Sequence, residues 1–518
     1  MSKSKRPNIV IFNPDEWRGD VLGHVGNPAA HTPNLDKFVE EDAVSFRNAF
    51  CQLPVCSPSR CSFMTGWYPH TRGHRTMHYL LHPEHYETNL LKILKENGYF
   101  VWWGGKNDLV PGQDGHYKHC NKKYIGTFQY LKNLKKIISQ EKVYPRNWRG
   151  DPGGDNYYSF YVGKVPTEDG NEFYTRDVAR VDGAISFIKK YRKRKPFCVY
   201  LPLSFPHPQY AVDDPWFSII DREKLPERPQ HPANWEGKPK ILKGIWENQN
   251  ISNWSEDRWN ELRATYYGMC AKIDDCFGKL ISALKENGQY NNTAIFFLSD
   301  HGDFAGDYGL VEKNQNTFED CLSRVPFIIK LPKSLSTKPQ VSDALVELVD
   351  FSETVFEITG ISPEYTRFGK SLVPLLRGEA EEHRDAVFCE GGRLIGETQA
   401  MERESKSSQN PAGLYWPRIS LQGTDEKAYH GKATMIRTKK YKYILRKYEK
   451  NEFYDLEKDP QEINNQIDNP KYQDKIQKFK ERMLEWYMET CDCIPVKTDN
   501  RGFRPNIKNW LKNLLRIS

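Results

Sequence analysis

RPNIVIFNPDEWRGD, residues 6–20, is the stretch from which the fold is read. Its centre, PNIVIF at 7–12, is a short unbroken apolar run, the pattern of a strand buried on both faces. The run ends at polar residues, which leaves Asp15 and Glu16 just past the strand end. A second such run, AIFFLSD at 294–300, ends the same way on Asp300 and His301. Between them, helices and strands alternate. Thr32 and Pro33 open a helix over TPNLDKFVEE (32–41), with threonine as the cap and proline at the first helical position. NLLKILKEN (89–97) is a helix closed by Gly98, YFVWWG (99–104) a strand, RDVARVDGAISFIKKY (176–191) a helix and FCVYLPLSF (197–205) a strand. A long helix from about Arg258 to Asn287 spaces Leu262, Tyr266, Ile273 and Phe277 on a helical period and stops at Gly288. The alternation predicts an α/β fold, a large and mostly parallel sheet sandwiched by helices, in which ligands bind at the carboxyl ends of the strands.

From about Arg384 the pattern changes. ATMIRT (433–438), YKYILRKY (441–448) and NEFYDL (451–456) read as short antiparallel strands, followed by a helix over YQDKIQKFKERMLEWYMET (472–490). The expected organisation is an N-terminal α/β domain over 1–383 and a smaller C-terminal α+β subdomain over 384–518. The final NIKNWLKNLLRIS (506–518) is amphipathic with a basic face and is expected to pack on the domain rather than on a membrane. Stretches near 130–170 and 210–257 have little periodicity and read as inserted loops of the kind that shape pockets.

Composition narrows the function classes. A chain of 518 residues, 38% hydrophobic, can bury a large core. Its formal charge of +7 is spread along the chain, which suits an anionic substrate. With no RRM, zinc-finger or helix-turn-helix pattern, it also speaks against nucleic acid. The 11 cysteines are odd in number and scattered, which favours a reduced, cytoplasmic protein over a disulfide scaffold. If a leader had been removed ahead of Met1, a periplasmic or secreted location would be expected instead. No apolar run approaches the roughly 18 residues of a membrane span.

LPVCSPSRCSFMTGWYPH (53–70) contains Cys56-Ser57-Pro58-Ser59-Arg60, which resembles the C-x-P-S-R signature of type I sulfatases in the alkaline phosphatase superfamily. RPNIVIFNPDEWRGD, WWGGKNDLV (102–110), SFPHPQY (204–210), IFFLSDHGDFAGDYGLVEK (295–313) and TKKYKYILRKYEKNEFYDLEKDPQE (438–462) are similar to that family in the same order, so the resemblance spans nearly the whole chain. It implies an alkaline phosphatase-like fold and a sulfuric ester hydrolase acting on a sulfated small molecule or glycan. In the family the signature cysteine is oxidised after translation to formylglycine, which makes a formylglycine-generating maturation enzyme the expected partner of Cys56.

Sulfate monoesters hydrolyse slowly, because oxygens screen the sulfur and the leaving alkoxide is poor. A catalyst must therefore supply a nucleophile, charge neutralisation and a proton. By the resemblance, Cys56 supplies the first and Arg60 neutralises and positions it. Lys106 and Lys313 match the sulfate-binding lysines, and His207 the proton donor to the leaving oxygen. Asp15, Glu16, Cys56, Asp300 and His301 form the implied metal site. Calcium is the family's ion; magnesium and manganese are alternatives, since imidazole is an untypical calcium ligand. Where many sulfatases read Gly-Lys-Trp-His, this chain reads Gly105-Lys106-Asn107-Asp108, so Asp108 either takes the place of a histidine base or orients Lys106. Two other readings stand beside this one. Asp15-Glu16-Trp17-Arg18 is similar to the DQWR of phosphonate monoester and phosphodiester hydrolases, which share the fold. A non-catalytic binding protein with an unmodified Cys56 is the third, and the joint presence of Asp15, Arg60, Lys106, His207, Asp300 and Lys313 speaks against it.

Overall fold

The computed structural model describes residues 6–125, 144–145, 147–167, 173–397, 410–495 and 501. The amphipathic segment at 506–518 lies outside the described residues. Eight strands form the main sheet: β1 (Asn8–Asp15), β2 (Val44–Phe50), β3 (Phe100–Gly104), β4 (Lys122–Tyr124), β5 (Phe197–Pro206), β6 (Thr293–Leu298), β7 (Phe327–Lys330) and β8 (Gln340–Glu347). Their order is β8-β2-β7-β6-β1-β5-β3-β4. Neighbours are parallel except at β7, which runs antiparallel to β2 and β6.

The unbroken apolar character of β1 follows from its place between β5 and β6 with both faces covered. Helices α1 (Pro33–Glu41), α2 (Cys56–Thr65), α3 (Arg176–Lys190), α4 (Glu256–Glu286) and α5 (Asp350–Thr359) supply the cover. On one face Val10, Phe12, Val199 and Phe297 pack with residues of α1, α3 and α4. On the other, Ile9, Ile11, Tyr200 and Phe296 pack with Phe63 and Met64 of α2 and with Phe351 and Val355 of α5.

Local capping follows the sequence at α3 and α4, whose first turns are held by the side chains of Thr175 and Ser255. It departs from the sequence at α1. Thr32 Oγ1 accepts from the Gly23 N–H at 2.9 Å and donates to Asp36 at 3.0 Å, so it does not cap the helix. The carboxylate of Asp274 in α4 does so instead, accepting from the N–H groups of Asn34 (3.0 Å) and Leu35 (2.8 Å). A tertiary contact has replaced the local one.

The second sheet is antiparallel, in the order β9 (Val387–Gly391), β10 (Ala433–Arg437), β11 (Tyr441–Arg446), β12 (Glu452–Asp455). Its first strand was not among those read from the sequence. Helix α6 (Trp416–Gln422) lies between β9 and β10 in the chain, and α7 (Gln473–Thr490) packs Ile476, Met483 and Trp486 on Phe388, Tyr443 and Phe453. Asp320, from the larger unit, is held between Lys442 at 2.8 Å and Arg437 at 3.0 Å of this sheet. All eleven cysteines are free thiols. Among the described residues no helix is long and apolar enough to cross a membrane.

Candidate active site

Because β1, β3, β5 and β6 run parallel, their carboxyl ends deliver side chains to one edge of the sheet. Asp15 and Glu16 come from β1, Lys106 follows β3, His207 follows β5, and Asp300 and His301 follow β6. Helix α2 begins at Cys56, and Arg60, four residues on, projects from the same face. All ten residues of α2 are buried, which fixes both side chains in place.

Cys56 Sγ lies 3.5 Å from Asp15 Oδ1 and 3.3 Å from His301 Nε2. His301 Nδ1 is 2.9 Å from the Gly302 carbonyl, a contact that assigns the ring proton to Nδ1 and leaves the Nε2 lone pair facing the thiol. Arg60 bridges the two aspartates, Nε to Asp300 Oδ2 at 2.7 Å and its terminal nitrogen to Asp15 Oδ2 at 3.0 Å. Lys106 Nζ sits on the same Asp15 oxygen. Asp300 Oδ1 accepts from the N–H groups of Glu16 (3.2 Å) and His301 (3.1 Å), and the Asp300 carbonyl accepts from Ser59 Oγ at 2.6 Å.

Charge in this buried site is set by neighbours. Burial alone would raise the Asp15 carboxyl, but Lys106 and Arg60 outweigh it and hold Asp15 well below the usual range. Burial, then Asp15, pushes the Cys56 thiol up, so the unmodified side chain is a protonated thiol and a poor nucleophile. Burial opposes the charge on Lys313, yet Glu16 and Glu312 keep its ammonium well above its ordinary value. Burial, then Lys313, holds His207 well below the ordinary histidine value.

Glu16 departs from its expected place. It adopts a left-handed backbone (φ 68°), and its carboxylate pairs with Lys313 Nζ at 2.8 Å. It therefore stands outside the group of Asp15, Cys56, Asp300 and His301, whose ligand atoms all lie within 4.8 Å of one another. The backbone explains the turn: the Glu16 N–H is committed to Asp300 and its carbonyl accepts from Tyr266 Oη at 2.7 Å, which aims the longer side chain toward Lys313. His207 also departs from a simple donor. Its Nδ1 faces the Pro208 carbonyl at 2.7 Å, and its Nε2 accepts from Lys313 Nζ at 3.0 Å. Asp108 approaches Lys106 Nζ at 3.4 Å and Arg60 Nε at 3.7 Å. Both approaches are made by the buried Oδ2, neither with hydrogen-bond geometry.

The donor set fits a divalent cation. Two carboxylates and an imidazole nitrogen converge beside Cys56, and hard carboxylate oxygens are what a divalent cation takes.

Several contributors were not read from the sequence. Ser59 is a signature residue, so a signal was there to follow. Glu312 is clamped by Arg418 of α6 through two contacts at 2.9 and 3.0 Å. Nothing in the sequence marks Arg418 among 75 Lys and Arg residues. Of the insertions, Phe160 packs on Tyr415 at 5.1 Å between ring centroids, and Tyr158 stacks on Trp416 at 5.8 Å. The 213–224 stretch is tied instead to α4, Asp213 to Lys272 at 2.7 Å and Arg222 to Glu261 at 3.0 Å.

Comparison with known proteins agrees with this architecture. The sulfatase family model matches residues 7–361, and a model described as the C-terminal part of N-sulphoglucosamine sulphohydrolase matches residues 424–489. An arylsulfatase of Clostridium perfringens is 28% identical over 500 residues, covering 93% of this chain and 94% of its own. An ulvan-active sulfatase of Formosa agariphila is 27% identical over 474 residues, 90% of this chain and 78% of its own. The crystal structure of a phosphonate monoester hydrolase of Agrobacterium radiobacter superposes with a TM-score of 0.73 at 20% identity, covering 94% of this chain and 96% of that one; at that identity it speaks to fold alone. With well over half of its length matched by the family model, the chain belongs to the sulfatase family, within the alkaline phosphatase superfamily, and is an enzyme of that family.

Proposed function

We propose that the enzyme removes sulfate from a sulfated carbohydrate, with a formylglycine derived from Cys56 as nucleophile and one divalent cation held by Asp15, Asp300 and His301. The observation that carries the reading is the position of Cys56. As the first residue of a buried helix it stands within contact of Asp15 and His301, with Lys106 and Lys313 close enough to act on it. As a hydrated formylglycine, position 56 supplies a hydroxyl to attack sulfur and a second hydroxyl whose deprotonation expels sulfate. A divalent cation, calcium by family likeness, supplies further positive charge against the sulfate oxygens.

The chain's own residues do the rest. Arg60 holds Asp15 and Asp300 in place and keeps a positive charge beside position 56. Lys106 and Lys313 bind the sulfate oxygens, where charge grows as the ester bond breaks. Lys313, which keeps its proton and donates one N–H to His207 Nε2 at 3.0 Å, is oriented by that contact and with His207 supplies the proton to the leaving oxygen. Asp108, whose Oδ2 lies 3.4 Å from Lys106 Nζ, takes the proton of the second hydroxyl.

A sulfate monoester and a phosphonate monoester each carry one negative charge, so the two reactions are separated by measurement. The carbohydrate assignment rests on the likeness to an ulvan-active sulfatase. The experiment compares kcat/KM for sulfated mono- and disaccharides with an aryl sulfate and a phosphonate monoester. The sugar sulfate is expected to be preferred. A phosphonate preference above about tenfold, roughly 1.4 kcal/mol in barrier, would reverse the assignment.

A further inference from the structure

Lys106 reaches the site from a loop, and a loop holds a charge in place only if something holds the loop. Three groups do. The Lys106 N–H donates to the Pro202 carbonyl of β5 at 3.0 Å. The Lys106 carbonyl accepts from Trp103 Nε1 at 3.0 Å. Lys123, on the edge strand β4, donates from Nζ to the Gly105 carbonyl at 2.8 Å and also faces the Lys106 carbonyl at 3.4 Å. The loop has no slack, because Gly105 takes a positive φ of 142° and a Cβ there would meet the Pro202 oxygen at 2.0 Å.

Lys123 is unusual for a lysine. It is half-buried, and among the described residues no carboxylate forms an ion pair with it. Its Nζ lies 3.9 Å from the Trp103 ring centroid, and although burial pushes its pKa down to about 7, Nζ donates to the loop carbonyls whether charged or neutral. A solvated surface lysine would not be placed against two main-chain carbonyls and an indole face. Those partners belong to the residues around Lys106, so what Lys123 orders is the approach of Lys106 to the site.

We infer that Lys123 is a positioning residue that fixes the Gly105–Lys106 loop and thereby sets the sulfate affinity of the site through Lys106. The inference rests on the proposed sulfate-binding role of Lys106. No bond is made or broken at Lys123. Its effect is geometric, and a displacement of about 1 Å in a group that touches substrate is enough to change affinity and rate severely.

The test is a double-mutant cycle on the full-length matured enzyme, read as the inhibition constant of inorganic sulfate and as KM and kcat for a sulfated sugar. Lys123→Met keeps the aliphatic stem over Trp103 and removes the donor, and Lys123→Arg restores donors over the ring. Lys123→Met is expected to weaken sulfate about tenfold and to raise KM more than it lowers kcat. Lys123→Arg should recover most of the loss. In a Lys106→Met background, adding Lys123→Met should change sulfate affinity by less than about twofold, since the group it positions is gone. An equal loss in both backgrounds, or no loss in either, would overturn the inference. Unchanged sulfate affinity in Lys106→Met alone would overturn the reading of Lys106 itself, and the inference with it. Melting temperatures measured alongside separate loss of fold from loss of position.

Discussion

At the scale of single residues, Asp108 separates this chain from the commoner family pattern. Under the proposed mechanism an oxygen base takes the proton of the second hydroxyl after sulfur transfer, and Asp108 Oδ2 stands beside Lys106 and Arg60. Asp108→Asn is therefore expected to allow a first turnover and slow the following ones, giving a burst in a stopped-flow trace. Equal slowing of both phases would assign Asp108 to positioning. A second prediction concerns stability. His119 is buried, and its Nδ1 accepts from Asn89 Nδ2 at 3.0 Å; burial, with Lys92 nearby, pushes the imidazole down to about 4. Unfolded, it titrates near its ordinary value of about 6.5. Between those values the unfolded chain binds more protons, so stability is full above the upper value and falls as pH drops toward 4, by roughly 3 kcal/mol for this group. Urea midpoints across that window should vary less steeply in His119→Gln than in the wild type, and parallel curves would contradict the assignment.

At the scale of elements, what could be read in advance was what local chemistry marks. β1, β5 and β6 were legible because strands buried on both faces are unbroken apolar runs, and α4 because a 31-residue helix repeats its period many times. β4, the Lys-Lys-Tyr at 122–124, has no apolar run and exists because β3 offers it a free edge. β9 is a five-residue strand at a change of pattern and shows its character only once paired with β10. The cap of α1 was misread for a related reason. Thr32 has the right chemistry, but Asp274, 240 or so residues away, has better geometry. Asp274→Ala is accordingly expected to cost about 1–3 kcal/mol of unfolding free energy, with Asp274→Asn milder because it keeps one acceptor. A loss confined to Thr32→Ala would show that the local cap governs after all.

At the scale of the whole molecule, the site is assembled at one edge of the main sheet and braced by the C-terminal subdomain through Arg418. Asp15, Asp300 and Cys56 were legible because each stands at a boundary the sequence marks, a strand end or the start of the signature helix. Arg418 was not, since its role comes from where α6 lies against Glu312, and no local pattern encodes that. The C-terminal subdomain thus helps hold the loop that carries Lys313, while Asp320, seven residues on, is gripped by Arg437 and Lys442. The proposed chemistry turns on the side chain of residue 56. As a thiol its pKa is raised by burial and by Asp15, and it has no means of attacking sulfur at neutral pH. As an aldehyde hydrate it has. The measurement that tests the account most directly is peptide mass spectrometry of the residue 56 peptide, made on preparations of graded activity produced with and without a maturation enzyme. Activity is predicted to rise in proportion to the fraction in which the CH2SH of Cys56 is replaced by CHO, and Cys56→Ala is predicted to be folded and inactive; full activity with an intact thiol at position 56 would contradict the account.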